Sequence, residues 1–143
     1  MNEDTINLLK ECNAGCKSAT NSMEQVQSYI ENEHLKSIIA EYNDKHIKIG
    51  DECHKMLNEY NKNEEDPQVM GKVFSWISTE MKLMMNDNTH EVADIMIDGC
   101  NMGIKSVSKY INKYNTASVE SMALAKKLIK MEQEFMSELL VYL

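Results

Sequence analysis

Residues 12–20 read CNAGCKSAT and residues 100–108 read CNMGIKSVS, so Cys, Asn, Gly, Lys and Ser recur in the same order at a spacing of 88 residues. Both segments sit in runs whose apolar residues fall three and four apart, the period of a helix with one buried face. Periodicity alone repeats easily between two amphipathic helices, whereas identities do not. The two segments are therefore expected to be equivalent helices in two related halves. Glycine inside a helix costs about 0.5–1 kcal/mol relative to alanine. Gly15 and Gly103 are accordingly expected to mark the place where helices one and three cross with their backbones close, around a pseudo-two-fold axis.

Working outward, Asp4 can cap a first helix over about 4–30, with Leu9, Cys12, Cys16, Ala19, Met23, Val26 and Ile30 on its seam. After the polar ENEH, a second seam over about 34–61 carries Leu35, Ile39, Tyr42, His46, Ile49, Cys53, Met56 and Tyr60. Asp66 and Pro67 then supply an N-cap and a first helical position, opening a broadly apolar crossover helix over 67–85. A helix over about 90–114 follows, with Ala93, Met96, Cys100, Gly103, Val107, Tyr110 and Tyr114 facing in. The last, over about 117–142, presents Met122, Ala125, Leu128, Glu132, Phe135, Leu139 and Tyr142. The expectation is one all-α domain over 1–143. Its four long helices form two antiparallel hairpins joined by a helical crossover, running up, down, down, up.

Composition agrees. One proline and five glycines in 143 residues are too few turn signals for an all-β or α/β chain. A formal charge of -8, with basic residues scattered among more numerous acids, excludes a nucleic-acid binder. No apolar run reaches the length of a membrane span and the first residues carry no targeting pattern, so a cytoplasmic protein without membrane insertion is expected. Four cysteines without a dense framework are expected as thiols.

With two hairpins, a pseudo-two-fold and a long crossover, the chain resembles the ferritin-like superfamily. Within it, the chain looks most like a bacterial family of small uncharacterised bundles with a Cys and then a Gly on helices one and three. Trp76, in VFSWIST at 73–79, belongs to that resemblance. Dinuclear members of the superfamily place a Glu after the helix-one glycine, an ExxH on helix two, a Glu on helix three and a second ExxH on helix four. Here Cys16 follows Gly15, Ile104 follows Gly103, helix two offers NDKH at 43–46 and helix four EQEF at 132–135. Of the ligand positions only His46 and Glu132 are kept, and the two tetrads stand 89 residues apart. Asn, Ile and Phe cannot bridge two hard cations, so no di-iron site is expected.

Cys16, His46 and Glu132 still point toward one layer and form a chemically reasonable set for a single Zn²⁺ or similar borderline ion. The plainer reading makes Cys16 a small packed hydrophobe, His46 a hydrogen-bonded core histidine and Glu132 a side chain reaching Asn43, Lys45 or solvent. Seam cysteines with twelve methionines would also suit Cu(I), although both residue types are ordinary core fillers. Glu31 to His34, Asp51 with His54 and Asp87 with His90 read as caps and solvated pairs.

Two functions follow. One is a non-catalytic bundle acting as a homo-oligomer or toward a protein partner, with the apolar crossover residues Phe74, Trp76, Met81 and Met85 as its surface and a stress or sporulation setting implied by the resemblance. The other is a mononuclear metal or thiol-redox protein using Cys16, His46 and Glu132. An enzyme ranks last, because no nucleophile and base can be paired.

Overall fold

The computed structural model describes residues 2–60, 75–77 and 89–143, with the backbone alone at Tyr60. These residues form four long helices: α1 (Glu3–Val26), α2 (Glu33–Tyr60), α3 (Thr89–Lys113) and α4 (Val119–Leu139). Single 3₁₀ turns at Gln27–Tyr29 and Leu140–Tyr142 follow α1 and α4. Among the described residues there is no strand. The expected crossover helix over 67–85 lies outside the described residues apart from 75–77.

Helix starts are set by short polar side chains that satisfy orphan backbone N–H groups. The expected cap of α1, Asp4, is not the cap. Asn2 is, its Oδ1 accepting from the Thr5 N–H at 2.9 Å. Asp4 sits in the first turn, and its carboxylate accepts from the Thr116 N–H at 3.1 Å and from the Thr116 hydroxyl at 2.6 Å. Asn2 Nδ2 donates to the Thr116 carbonyl at 2.6 Å, so the start of α1 is fastened to the α3–α4 turn. Helix α4 begins later than the sequence suggests because Ser118 caps it, accepting from the Ser121 N–H at 3.2 Å. Asn32 plays the same part for α2, accepting from the Leu35 N–H at 2.9 Å.

These contacts also fix direction. The N-terminus of α1 meets the end of α3 and the start of α4, and His34 at the start of α2 bonds the Tyr142 hydroxyl just beyond α4. Helix α1 thus runs antiparallel to α2 and α3, and α2 runs antiparallel to α4. The chief packing is α1 on α2 and α3 on α4, and the two hairpins join through α2 with α4 and α1 with α3.

The seams go inside: Leu9, Cys12, Met23, Leu35, Ile39, Met96, Cys100, Leu128 and Phe135 are each 0–1% exposed. Burying a side chain of this size contributes about 1.5–3 kcal/mol. Tyr110, Tyr114, Met122 and Tyr142 stay partly exposed at the seam's ends. The buried stripe is wider than one seam, taking in Leu8, Ile38, Leu57, Val92, Ile95 and Leu124, because a bundle helix covers more than a two-position strip.

Trp76 is clasped between hairpins. Its backbone N–H donates to Ser22 Oγ on α1 at 2.8 Å, and its indole lies over Gly99 on α3, where a Cβ would stand 2.2 Å from Trp76 Cδ2. The repeated glycines behave differently from expectation. A Cβ at Gly15 would meet nothing within 4 Å, whereas one at Gly103 would fall 2.4 Å from Glu132 Oε2. They face one cleft between α1 and α3 rather than a backbone crossing.

Gly15→Ala should therefore stabilise the chain by about 0.5–1 kcal/mol, since only helix propensity changes. Gly99→Ala should destabilise it by about 1–3 kcal/mol by driving a methyl into the indole. Thermal unfolding of the two variants decides, and equal shifts would contradict these glycine environments.

Candidate functional site, a buried histidine and carboxyl between four thiols

Helix α2 brings His46 to the bundle centre one turn after Tyr42, and α4 brings Glu132 opposite it, one turn before Phe135. His46 is 0% and Glu132 2% exposed. His46 Nε2 stands 3.2 Å from Glu132 Oε1, and His46 Nδ1 stands 2.7 Å from the Tyr42 carbonyl oxygen. A carbonyl only accepts, so Nδ1 carries a hydrogen and donates it. Nε2 and Oε1 then face each other at hydrogen-bonding distance between α2 and α4. Burial pushes the Glu132 carboxyl above the usual carboxylate range, and the contact with His46 works in the opposite direction.

The pair is walled by an aromatic stack. Tyr42 and Phe135 lie nearly parallel with centroids 4.6 Å apart, and the Phe135 ring meets His46 at 69°. On the other side Gly103 has no side chain, which is what lets the carboxyl lie against α3. Among the described residues, Glu132 Oε2 has no hydrogen-bond partner, nor has Asn43 Oδ1.

Cysteine surrounds this layer. Cys12, Cys16, Cys53 and Cys100 are free and buried. Cys12 lies within hydrogen-bonding reach of Cys53, and that contact, followed by burial, raises its pKa well above the ordinary thiol value. Burial raises Cys16 in the same way, with Cys53 and Glu132 adding to it, and burial next to Glu132 raises Cys100. These three are thiols, not thiolates, and thiolate is the form that attacks disulfides and binds metals.

Of the three ligands expected from the sequence, the structure joins His46 to Glu132. Cys16 lines a groove between α1 and α2 that also touches His46, and it is near enough to Glu132 to be affected by its charge. Both ring nitrogens of His46 are already engaged. Among the described residues no group of three or more His, Cys, Asp or Glu is disposed to hold a metal ion. Asn43, Ile104 and Phe135 supply no carboxylate or imidazole where a dinuclear centre would need them.

Beyond Glu132 lies a cleft of about 100 Å³ between α1 and α3, lined by Gly15, Trp76, Met102, Gly103, Leu128 and Glu132 among others. Sequence reasoning missed it. The only signal was a glycine repeat, which fits a close crossing as readily as an opening.

Two measurements test this layer. Changing either His46 or Glu132 to Leu leaves a polar partner stranded and should cost about 3–5 kcal/mol, while the double change should cost much less than the sum. Additive losses in chemical denaturation would deny the coupling. The raised thiols hold their protons in the folded state while unfolded cysteines lose theirs above about pH 8.5. Their stabilising share is thus complete below that pH. It falls as pH climbs from there toward the folded pKa values, by about 1.4 kcal/mol per pH unit for each thiol. Replacing Cys12, Cys16 and Cys100 with Ala should flatten that slope, and a slope unchanged by the replacement would show that other groups cause it.

No protein-family model matches the chain, and neither the curated proteins nor the solved structures include one that matches it.

Proposed function

We propose that the chain is a non-catalytic bundle of the ferritin-like arrangement, and that it acts by associating with a second copy of itself. The helix directions and neighbours support the arrangement: two hairpins whose first members run antiparallel to each other, with a connection long enough to cross the bundle. The observation that carries the non-catalytic reading is the closure of the central layer. Every side chain there with acid–base, redox or metal chemistry, namely His46, Glu132 and the four cysteines, is 0–2% exposed. The thiols that burial keeps protonated are poor nucleophiles, and the imidazole nitrogens are both already engaged.

Exposed apolar side chains occur beyond α4, where Leu140, Val141 and Leu143 are 54%, 77% and 54% exposed, near the point where Tyr142 meets His34. Apolar side chains of this kind are stabilised when another surface covers them, and identical copies meet most simply about a two-fold axis.

Sedimentation of the wild type across a wide concentration range should show reversible self-association. Val141→Asp with Leu143→Asp should abolish it, leaving the melting temperature within a few degrees because neither side chain is in the core. A wild type that sediments as a monomer at every concentration would end this reading.

A further inference from the structure

We propose that the cleft between α1 and α3 is a binding site for a small primary ammonium ion carrying a short alkyl group, with the nitrogen held by Glu132 and the alkyl chain by the apolar walls. Independently of any self-association, three observations converge on this.

The first is an unused acceptor. Glu132 is 2% exposed and lines the inner wall of the cleft, its Oε1 is occupied by His46, and its Oε2 has no partner. A buried carboxyl oxygen without a donor is costly. The second is an opening kept at the expense of helix propensity. Gly15 has nothing within 4 Å of where its Cβ would be, so alanine would fit and favour the helix, yet the position is glycine and the space in front of it is open.

The third is the chemistry of the walls. Two acidic side chains, Glu11 and Glu132, line the cleft together with Trp76 and Tyr110, and among the described residues the lining has no Lys, Arg or His. Acids without a base select a cation over an anion or a neutral donor, and aromatic rings attract a cation through their faces. Met102, Val107 and Leu128 offer apolar contact to whatever carries the charge. The volume of about 100 Å³ lies between one water, about 30 Å³, and the cavity of about 150 Å³ that takes a benzene. It suits a chain of a few carbons with one amine. An ammonium has three donors, enough to reach Oε2 and still face the hydroxyls of Ser18 or Ser106 at the wall.

Trp76 is the sole tryptophan, so intrinsic fluorescence reads this cleft directly. Titration of n-butylammonium into the intact chain should give a saturable change that n-butanol and butyrate do not reproduce. Glu132→Gln, which keeps the shape and removes the acid, should weaken binding at least tenfold. Gly15→Leu should fill the opening and abolish binding while the protein stays folded by circular dichroism, since a Cβ there meets nothing within 4 Å and the cleft lies in front of it. Should Glu132→Gln unfold, Gly15→Leu still decides. Equal binding of butanol, saturation unchanged in Gly15→Leu, or no saturation by butylammonium in the wild type would each overturn the proposal. So would Zn²⁺ that saturates the same signal, is lost in Glu132→Gln and is not displaced by butylammonium.

Discussion

The contact between His46 and Glu132 in the buried centre of the bundle constrains more of this structure than any other. His46 and Glu132 come from different hairpins, and neither can be buried without the other. Their meeting fixes the register of α2 against α4: a shift of one residue along either helix would turn one partner away and leave the other stranded. The Tyr42 carbonyl holds Nδ1, so even the imidazole's orientation is settled by backbone one turn earlier. Apolar seams alone tolerate sliding, because one leucine replaces another at little cost. The polar pair does not, and it gives two hairpins with interchangeable apolar faces one way to dock.

That requirement reaches α3. A carboxyl group lying against a helix needs a residue without a side chain, and Gly103 is that residue. The same device recurs one turn earlier, where Gly99 takes the indole of Trp76. Two glycines four apart on one helix thus receive two large groups from other parts of the chain. Serines on α1 finish the accommodation. Ser18 and Ser22 bond back to the carbonyls of Ala14 and Ser18, and Ser22 Oγ also receives the Trp76 N–H.

Much of this was legible in the sequence, and the reason is physical. Helical period and apolar identity are local properties, so the four seams, the all-helical class, the buried cysteines and the central placing of His46 and Glu132 could be read directly. Caps were less legible: Asn2, Asp4, Ser118 and Thr116 are all competent capping residues. Which of them caps and which ties two ends together depends on neighbours more than a hundred residues away. The glycines were read in the right place with the wrong consequence. A sequence shows that a side chain is missing, but the thing that uses the space, a carboxyl over Gly103 and open volume over Gly15, comes from another helix.

The two halves of the repeat make the last point. In the correspondence drawn from sequence, Gly15 matches Gly103 and Asn43 matches Glu132. Glu132 reaches its glycine and closes over it. Asn43, one methylene shorter, places nothing within 4 Å of where a Cβ at Gly15 would stand, and its own Oδ1 is left without a partner. A second carboxyl at position 43 would raise the cost of burying charge in this layer, and the amide of Asn43 avoids it. It also leaves Gly15 facing open space. The difference between Asn43 and Glu132 is thus what leaves an opening beside the one carboxyl of this layer.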